Sequence, residues 1–369
     1  MVSVARRNLF QEKTRLLIST AGVAFALLLV LSLDGVLAGS LNRITAYINN
    51  TKADGYLAQP GVRTMHMSTS ALPLSKVDEV EQVAGVREVV PILYTTNPVV
   101  AGERRSLAYV IGFDPARGRG GPWELRAGSE ALGPREAVLD AEAAATLDVG
   151  LGDDVLILGA PFRVRGLSAG TSTITNSVVF VRFDDFAALR RMPSTASYLL
   201  IWFADSLTPE EGVRRVAAQV GDVQAMTRSE FAGEEERVVR DMSAQIMVVM
   251  NGFGFAIGLA AVALTIYTLT LSKVREYGVL KALGAGRPWL YRAALEQAFW
   301  SVGIGAVVAV ALALGLSLAF SVLVPNTPLA VEAASVLKVL MGAAAISLLS
   351  AGIPIGQIAR VDPAQVFRR

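Results

Sequence analysis

Four long apolar runs leave this chain few folds to choose from. Leu16 to Leu33 is eighteen residues without a charge, close to the ~20 that an α-helix needs to cross about 30 Å of hydrocarbon. Ile246 to Leu271, Ala298 to Val324 and Val339 to Ile358 repeat the pattern. Backbone amides surrounded by lipid must be satisfied within their own segment, so each run is expected as a helix. A composition of 53% hydrophobic against 18% charged residues and a mean hydropathy of +0.47 agree, because ordinary soluble domains are less apolar. Residues 39–243 read differently, as a water-soluble stretch long enough to bury a core of its own. The expected fold class is an α-helical membrane protein with four transmembrane helices plus a mixed α/β extracytoplasmic domain inserted between the first and second helices. The first run has a rival reading as a secretory signal peptide, since Arg6, Arg7, Lys13 and Arg15 precede it and Val36-Leu37-Ala38 loosely resembles a cleavage site. Its length exceeds the usual apolar core of about 7 to 15 residues, which favours a span.

Lys and Arg gather on one side of these spans. Residues 1–15 hold four, residues 272–293 hold Lys273, Arg275, Lys281, Arg287 and Arg292, and the tail holds Arg360, Arg368 and Arg369. Against Glu12, Glu276 and Asp362 this is twelve bases and three acids, a net of +9, and the formal total of +2 leaves −7 for the rest. The positive side is expected in the cytoplasm. The order is then a cytoplasmic amphipathic segment 1–15, helix 16–38, outer domain with stalk 39–243, helix 244–271, cytoplasmic loop 272–293, helix 294–324, short outer loop 325–335, helix 336–358 and cytoplasmic tail 359–369. The chain is expected in the bacterial cytoplasmic (inner) membrane, multi-pass, with both termini inside.

Alternation and turn residues predict mixed structure in the outer segment. Strands are expected at 54–60, 136–139, 154–158, 162–167, 178–181 and 197–204, and helices at 75–83 and 208–220. Residues 229–243, rich in charge, read as a helix running directly into the second span, a stalk through which outer domain and membrane helix can move together.

Several chemistries are excluded. Cysteine is absent and His66 is the single histidine, which removes thiol redox chemistry, disulfides and multi-histidine metal sites. No G-x-x-x-x-G-K-[ST] loop, G-x-S-x-G elbow or H-E-x-x-H helix occurs, so the chain is not expected to be an enzyme, to hold a metal or to bind a cofactor of its own. A charge of +2 gives no basis for a nucleic-acid partner. Met65-His66-Met67 forms a set of soft-metal or haem-iron ligands or, with no second cluster, a plain exposed loop. Ionisable residues near the spans are the next candidates: Asp34 near the outer surface, Glu296 read mainly as a partner of Arg292 at i, i+4, and Lys338 read as snorkelling outward. Met242, Met247 and Met250 at the outer end of the second span, with Asp34, are substrate-path candidates for a hydrophobic cargo; packing is the simpler account of the methionines. Small residues at Gly254 and Gly258, Gly303 and Gly305, Ala309 and Ala313, and Gly352 and Gly356 form either helix-packing or dimer faces, or reflect the ordinary abundance of glycine and alanine in membrane helices.

The loop Arg275-Glu276-Tyr277-Gly278-Val279-Leu280-Lys281-Ala282-Leu283-Gly284-Ala285 resembles the R-E-x-G-x-[LM]-[RK]-A-[LI]-G-A signature of FtsX-like ABC permeases. The tail from Arg360 through Pro363 to Arg368 resembles that family's closing pattern. Lys281 and the opening 8–17 are most similar to the DevC and haem-exporter branch, and residues 54–230 are similar to the MacB-like periplasmic core domain, notably at 112–115 and 147–153. The resemblance implies an ABC transporter permease working by mechanotransmission on a hydrophobic or amphiphilic cargo such as haem, a lipid-like molecule or a drug. It also implies an ABC ATPase subunit that binds ATP and Mg2+, a second copy of this chain, contact with membrane lipids and, in some members, an extracytoplasmic adaptor. A non-transporting regulator that relays ATPase motion to a cell-wall hydrolase is the alternative. The ATPase-coupling residues it implies are Arg275, Glu276, Gly278, Lys281, Gly284 and Ala285, on a short basic helix able to lie at the membrane surface.

Overall fold

The structure, a computed structural model, describes residues 13–172, 176–272, 287–323 and 329–358. The chain divides into two compact units, residues 40–242 and the remainder.

In the first unit, a ten-stranded sheet runs in the order β12-β1-β11-β3-β4-β9-β6-β8-β5. Its strands are β1 (Gly55–Ala58), β3 (Val86–Ala101), β4 (Arg104–Phe113), β5 (Leu125–Gly128), β6 (Glu136–Asp140), β7 (Asp154–Ile157), β8 (Ala160–Ser168), β9 (Ser177–Arg182), β11 (Tyr198–Phe203) and β12 (Gln224–Thr227). Two short strands, β2 (Leu72–Pro73) and β10 (Thr195–Ala196), pair apart from it. The long β3 serves two cores. Its first half pairs with β11 and its second half with β4. β7 bridges β3, through Val100 and Leu156, to β8, so that β3, β4, β9, β6, β8 and β7 close into a ring and hide their edges. Val110, Leu139, Phe162, Val179 and Phe186 fill its interior.

The other half of the sheet is covered on both faces, and β11 shows the physical reason. All six of its residues are buried, Tyr198, Leu200 and Trp202 on one face and Leu199, Ile201 and Phe203 on the other, as a period of two requires. Helices α3 (Ser75–Glu81) and α6 (Pro209–Gln219) pack on the second face, led by Val80, Val213 and Val216. Thr208 caps α6 through its side chain, with Pro209 at the first turn. Gly212 sits mid-helix because a β-carbon there would come within 2.6 Å of the Phe203 ring. The first face is covered by α2 (Ala46–Asn50) and the opening turns of α7 (Arg228–Ser272), with Tyr56 stacked on Phe231 at 4.8 Å between ring centroids.

The second unit contains α1 (Lys13–Ile44) up to residue 39, α7 from residue 243, α8 (Arg287–Leu323) and α9 (Ala333–Ile358). All four are long and apolar enough to cross a membrane. Their core is small and aliphatic, with Val23, Leu27, Val302, Ala306, Ala309, Ala313 and Ile346 buried, whereas Leu17, Phe25, Val248, Leu264, Val307 and Leu318 point outward. Large exposed side chains around a core of small ones are the reverse of a water-soluble bundle and fit a hydrocarbon surround. A β-carbon at Gly305 would meet Val23 at 2.8 Å, and one at Gly258 would meet Ile346 at 2.9 Å. These glycines bring helices of this one bundle together, while Gly303 faces open space. Glu296 stands 3.5 Å from Arg292, the expected i, i+4 pair.

Candidate functional site

Two buried carboxylates mark the molecule, Glu235 in the outer unit and Asp34 in the membrane unit. In the outer unit, Phe231, Ala232 and Glu235 lie on one face of the first turns of α7, by the helical i, i+3, i+4 spacing, and all three are buried. The Glu235 carboxylate accepts the backbone N–H of Met65 at 2.6 Å and that of His66 at 3.3 Å. The His66 imidazole Nδ1 lies 2.9 Å from Glu235 Oε1. Rings of Tyr94 and Tyr109 flank the imidazole, with centroids at 5.9 and 4.4 Å. Burial pushes the Tyr94 phenol well above its ordinary range, with further upward contributions from Tyr109 and Glu235, and burial likewise raises Tyr198. These phenols stay neutral. At the rim, Arg63 reaches Glu234 at 2.9 Å, and Arg237 reaches the same carboxylate at 2.6 Å.

This corrects the reading of residues 65–67 as an exposed loop, whether a ligand set or a plain one. Met65 is 1% exposed and Met67 59%, so the three side chains do not converge, and the His66 side chain is 4% exposed and turned to Glu235. The physical reason is the acceptor supplied by α7: two adjacent backbone N–H groups need a partner once the loop is buried. Glu235, about which the loop folds, was hidden within Glu234-Glu235-Glu236-Arg237, which reads as a solvated charge run. The faint signal was its spacing from Phe231. Among the described residues no three His, Cys, Asp or Glu side chains gather in a metal-binding group.

In the membrane unit, Asp34 is 5% exposed and its Oδ2 lies 3.3 Å from Lys338 Nζ. Lys338 is therefore not a free snorkelling lysine, although its side chain remains two-thirds exposed. The pair connects α1 to α9 beside a cavity of about 180 Å³, lined also by Asn251, Leu27, Val30, Phe255 and Ile346. Of the substrate-path candidates only Asp34 lines it. Met250 is 40% exposed and Met247 partly so, both away from the cavity, and Met242 belongs to the outer unit. Arg275, Glu276, Gly278, Lys281, Gly284 and Ala285, with the closing pattern from Arg360, lie outside the described residues.

Two family profiles match the chain: the MacB-like periplasmic core domain over residues 16–220 and the FtsX-like permease C-terminal domain over residues 248–363. Among solved structures, the periplasmic region of MacB from Actinobacillus actinomycetemcomitans is similar at 16% identity, over 51% of this chain and 95% of that one, with a TM-score of 0.39. The extracellular domain of the ABC-type transporter YknZ from Gram-positive bacteria is similar at 14% identity, over 47% of this chain and 100% of that one, with a TM-score of 0.37.

Proposed function

Since the chain belongs to the family of MacB- and FtsX-like ABC permeases, we propose that it is the permease of an exporter that turns ATPase motion into movement of its outer domain. The observation that carries this reading is α7. One uninterrupted helix of 45 residues, Arg228–Ser272, begins in the core of the outer domain and ends where the loop bearing the Arg275 to Ala285 signature begins. A continuous helix transmits displacement along its axis, because its hydrogen-bond ladder resists local bending unless a proline or an inserted group breaks it.

The family implies an ABC ATPase as partner. In this mechanism two copies of the chain work with two ATPases, and ATP and Mg2+ are bound by those subunits. Closure of the ATPases pushes on Arg275, Glu276, Gly278, Lys281, Gly284 and Ala285. The push passes along α7, and Glu235, clasped by the 65–66 backbone and His66, carries it into the outer domain. The cargo is hydrophobic or amphiphilic, whether haem, a lipid-like molecule or a drug, and is taken from the outer leaflet or the space beyond it. Both termini lie in the cytoplasm and the membrane is the bacterial inner membrane, in keeping with the +9 and −7 charge split.

The test is reconstitution with its partner ABC ATPase. Glu276→Lys and Gly284→Trp are expected to lose copurification of the ATPase or the stimulation of its hydrolysis, with the outer domain still folded by circular dichroism. Wild-type copurification and stimulation in both variants would remove the coupling assignment.

A further inference from the structure

The cavity beside Asp34 has a chemistry that its apolar walls do not explain. A buried carboxylate is held in place by a cation, since an unpaired buried charge is costly. The cation present is an ammonium 3.3 Å away on a side chain two-thirds exposed, while the carboxylate is 5% exposed. Asn251 also lines the cavity, and its Oδ1, buried behind that wall, has no hydrogen-bond partner. The remaining space, about 180 Å³, exceeds the ~150 Å³ that accepts a benzene-sized group in an apolar cavity, and Leu27, Val30, Phe255 and Ile346 line it.

We propose that Asp34 forms a binding site for the head of an alkylammonium amphiphile, with Asn251 in its wall and the Lys338 ammonium as its built-in competitor. This rests on the reading of the chain as a permease for amphiphiles and names the class it takes. An incoming ammonium replaces Lys338 at Asp34, so the carboxylate never stands alone. The alkyl chain takes the apolar space. The displaced lysine has the length to carry its charge to water or headgroups. An anionic head would meet Asp34 with like charge, and a neutral alcohol would leave the carboxylate without a cation. The empty state is closed by the protein's own amine, which makes binding an exchange rather than a burial of new charge.

The exchange gives Lys338 an unusual sign. The full chain is placed in phosphatidylcholine nanodiscs, whose quaternary nitrogen has no N–H, and saturable binding of radiolabelled dodecylamine is measured above partition into empty discs. No ATPase is present, so failure here leaves coupling intact and failure of coupling leaves this result standing. Asp34→Asn is expected to weaken binding at least about tenfold, the value of one charge-assisted hydrogen bond. Lys338→Met is expected to tighten it, and dodecyl sulfate not to compete. A pair that is merely structural gives weaker or unchanged binding in Lys338→Met, and either result overturns the proposal. Should a variant misfold, a diazirine-bearing dodecylamine on the wild type is expected to label peptides containing residues 27–34 and 251–255, and labelling confined elsewhere overturns it as well. Repeating the titration with phosphatidylethanolamine in the discs separates the sources of the amine. Weakened binding makes a bilayer headgroup the resident occupant, and unchanged affinity makes it a free amphiphile.

Discussion

Replacing Glu235 with alanine removes the acceptor on which the 65–66 loop closes. The Met65 N–H at 2.6 Å and the His66 N–H at 3.3 Å lose their partner in a buried setting. Each orphaned donor is worth about 1–3 kcal/mol. Because the space left by the side chain admits a water to one of them, the expected net loss is about 3 kcal/mol, or about two powers of ten in the local opening equilibrium. Amide hydrogen exchange on the full chain in nanodiscs reads this at peptides spanning residues 63–70. Glu236→Ala is the control: its carboxylate pairs with Arg240 at 3.2 Å on the exposed side of the helix, an interaction worth at most about 1 kcal/mol. Glu235→Gln, which keeps the volume and one acceptor oxygen, should fall between the two. Exchange in Glu235→Ala no faster than in Glu236→Ala would refute the claim that this carboxylate clasps the loop to the stalk.

Gly305→Val is expected to lower the thermal stability of the membrane bundle, by about 1–3 kcal/mol of overpacking against Val23, while Gly303→Val, with open space around it, leaves it unchanged; equal melting of the two in detergent would contradict the packing described. Tyr47, Tyr56, Tyr94 and Tyr198 are all raised by burial above the ordinary value of 10.0. A raised phenol contributes stability that is present below the unfolded value and lost as pH rises above it. Tyrosinate absorbance should therefore appear in two steps, the later one together with loss of circular dichroism, and a single early step would show that these phenols are accessible.

What the sequence made legible follows the range of the forces involved. The four spans are set by composition over windows of about twenty residues, and strands such as Tyr198–Phe203 or Glu136–Asp140 by local pattern. The helix beginning near Ser229 was legible in the same way, because its charge periodicity runs without a break into Ile246. Strands β3 and β4 carried no reading. Tyr94 to Asn97 are polar or half-buried and mask the alternation, and the pairing that holds β3 to β11 lies about a hundred residues away. The candidate sites divide likewise. Asp34 stood out because charge near a span is rare, but its partner Lys338 lies 304 positions on. Glu235 stood among like charges, and only its burial against the 65–66 loop, beside Tyr94 and Tyr198, distinguishes it.

In the proposed mechanism α7 is a mechanical link from the ATPase-facing loop to the outer domain. Ala244→Pro interrupts that helix between the two units, removing a hydrogen bond and clashing with the preceding turn, a disruption of about 3 kcal/mol or more. The measurement is hydrogen exchange across residues 40–242 in the reconstituted complex, with ATP and without it. In the wild type, ATP is expected to change exchange at the Glu235 clasp and the 63–70 segment. In Ala244→Pro that change should vanish while ATP hydrolysis continues. An ATP-dependent change of the same size in the broken helix would show that α7 does not carry the motion.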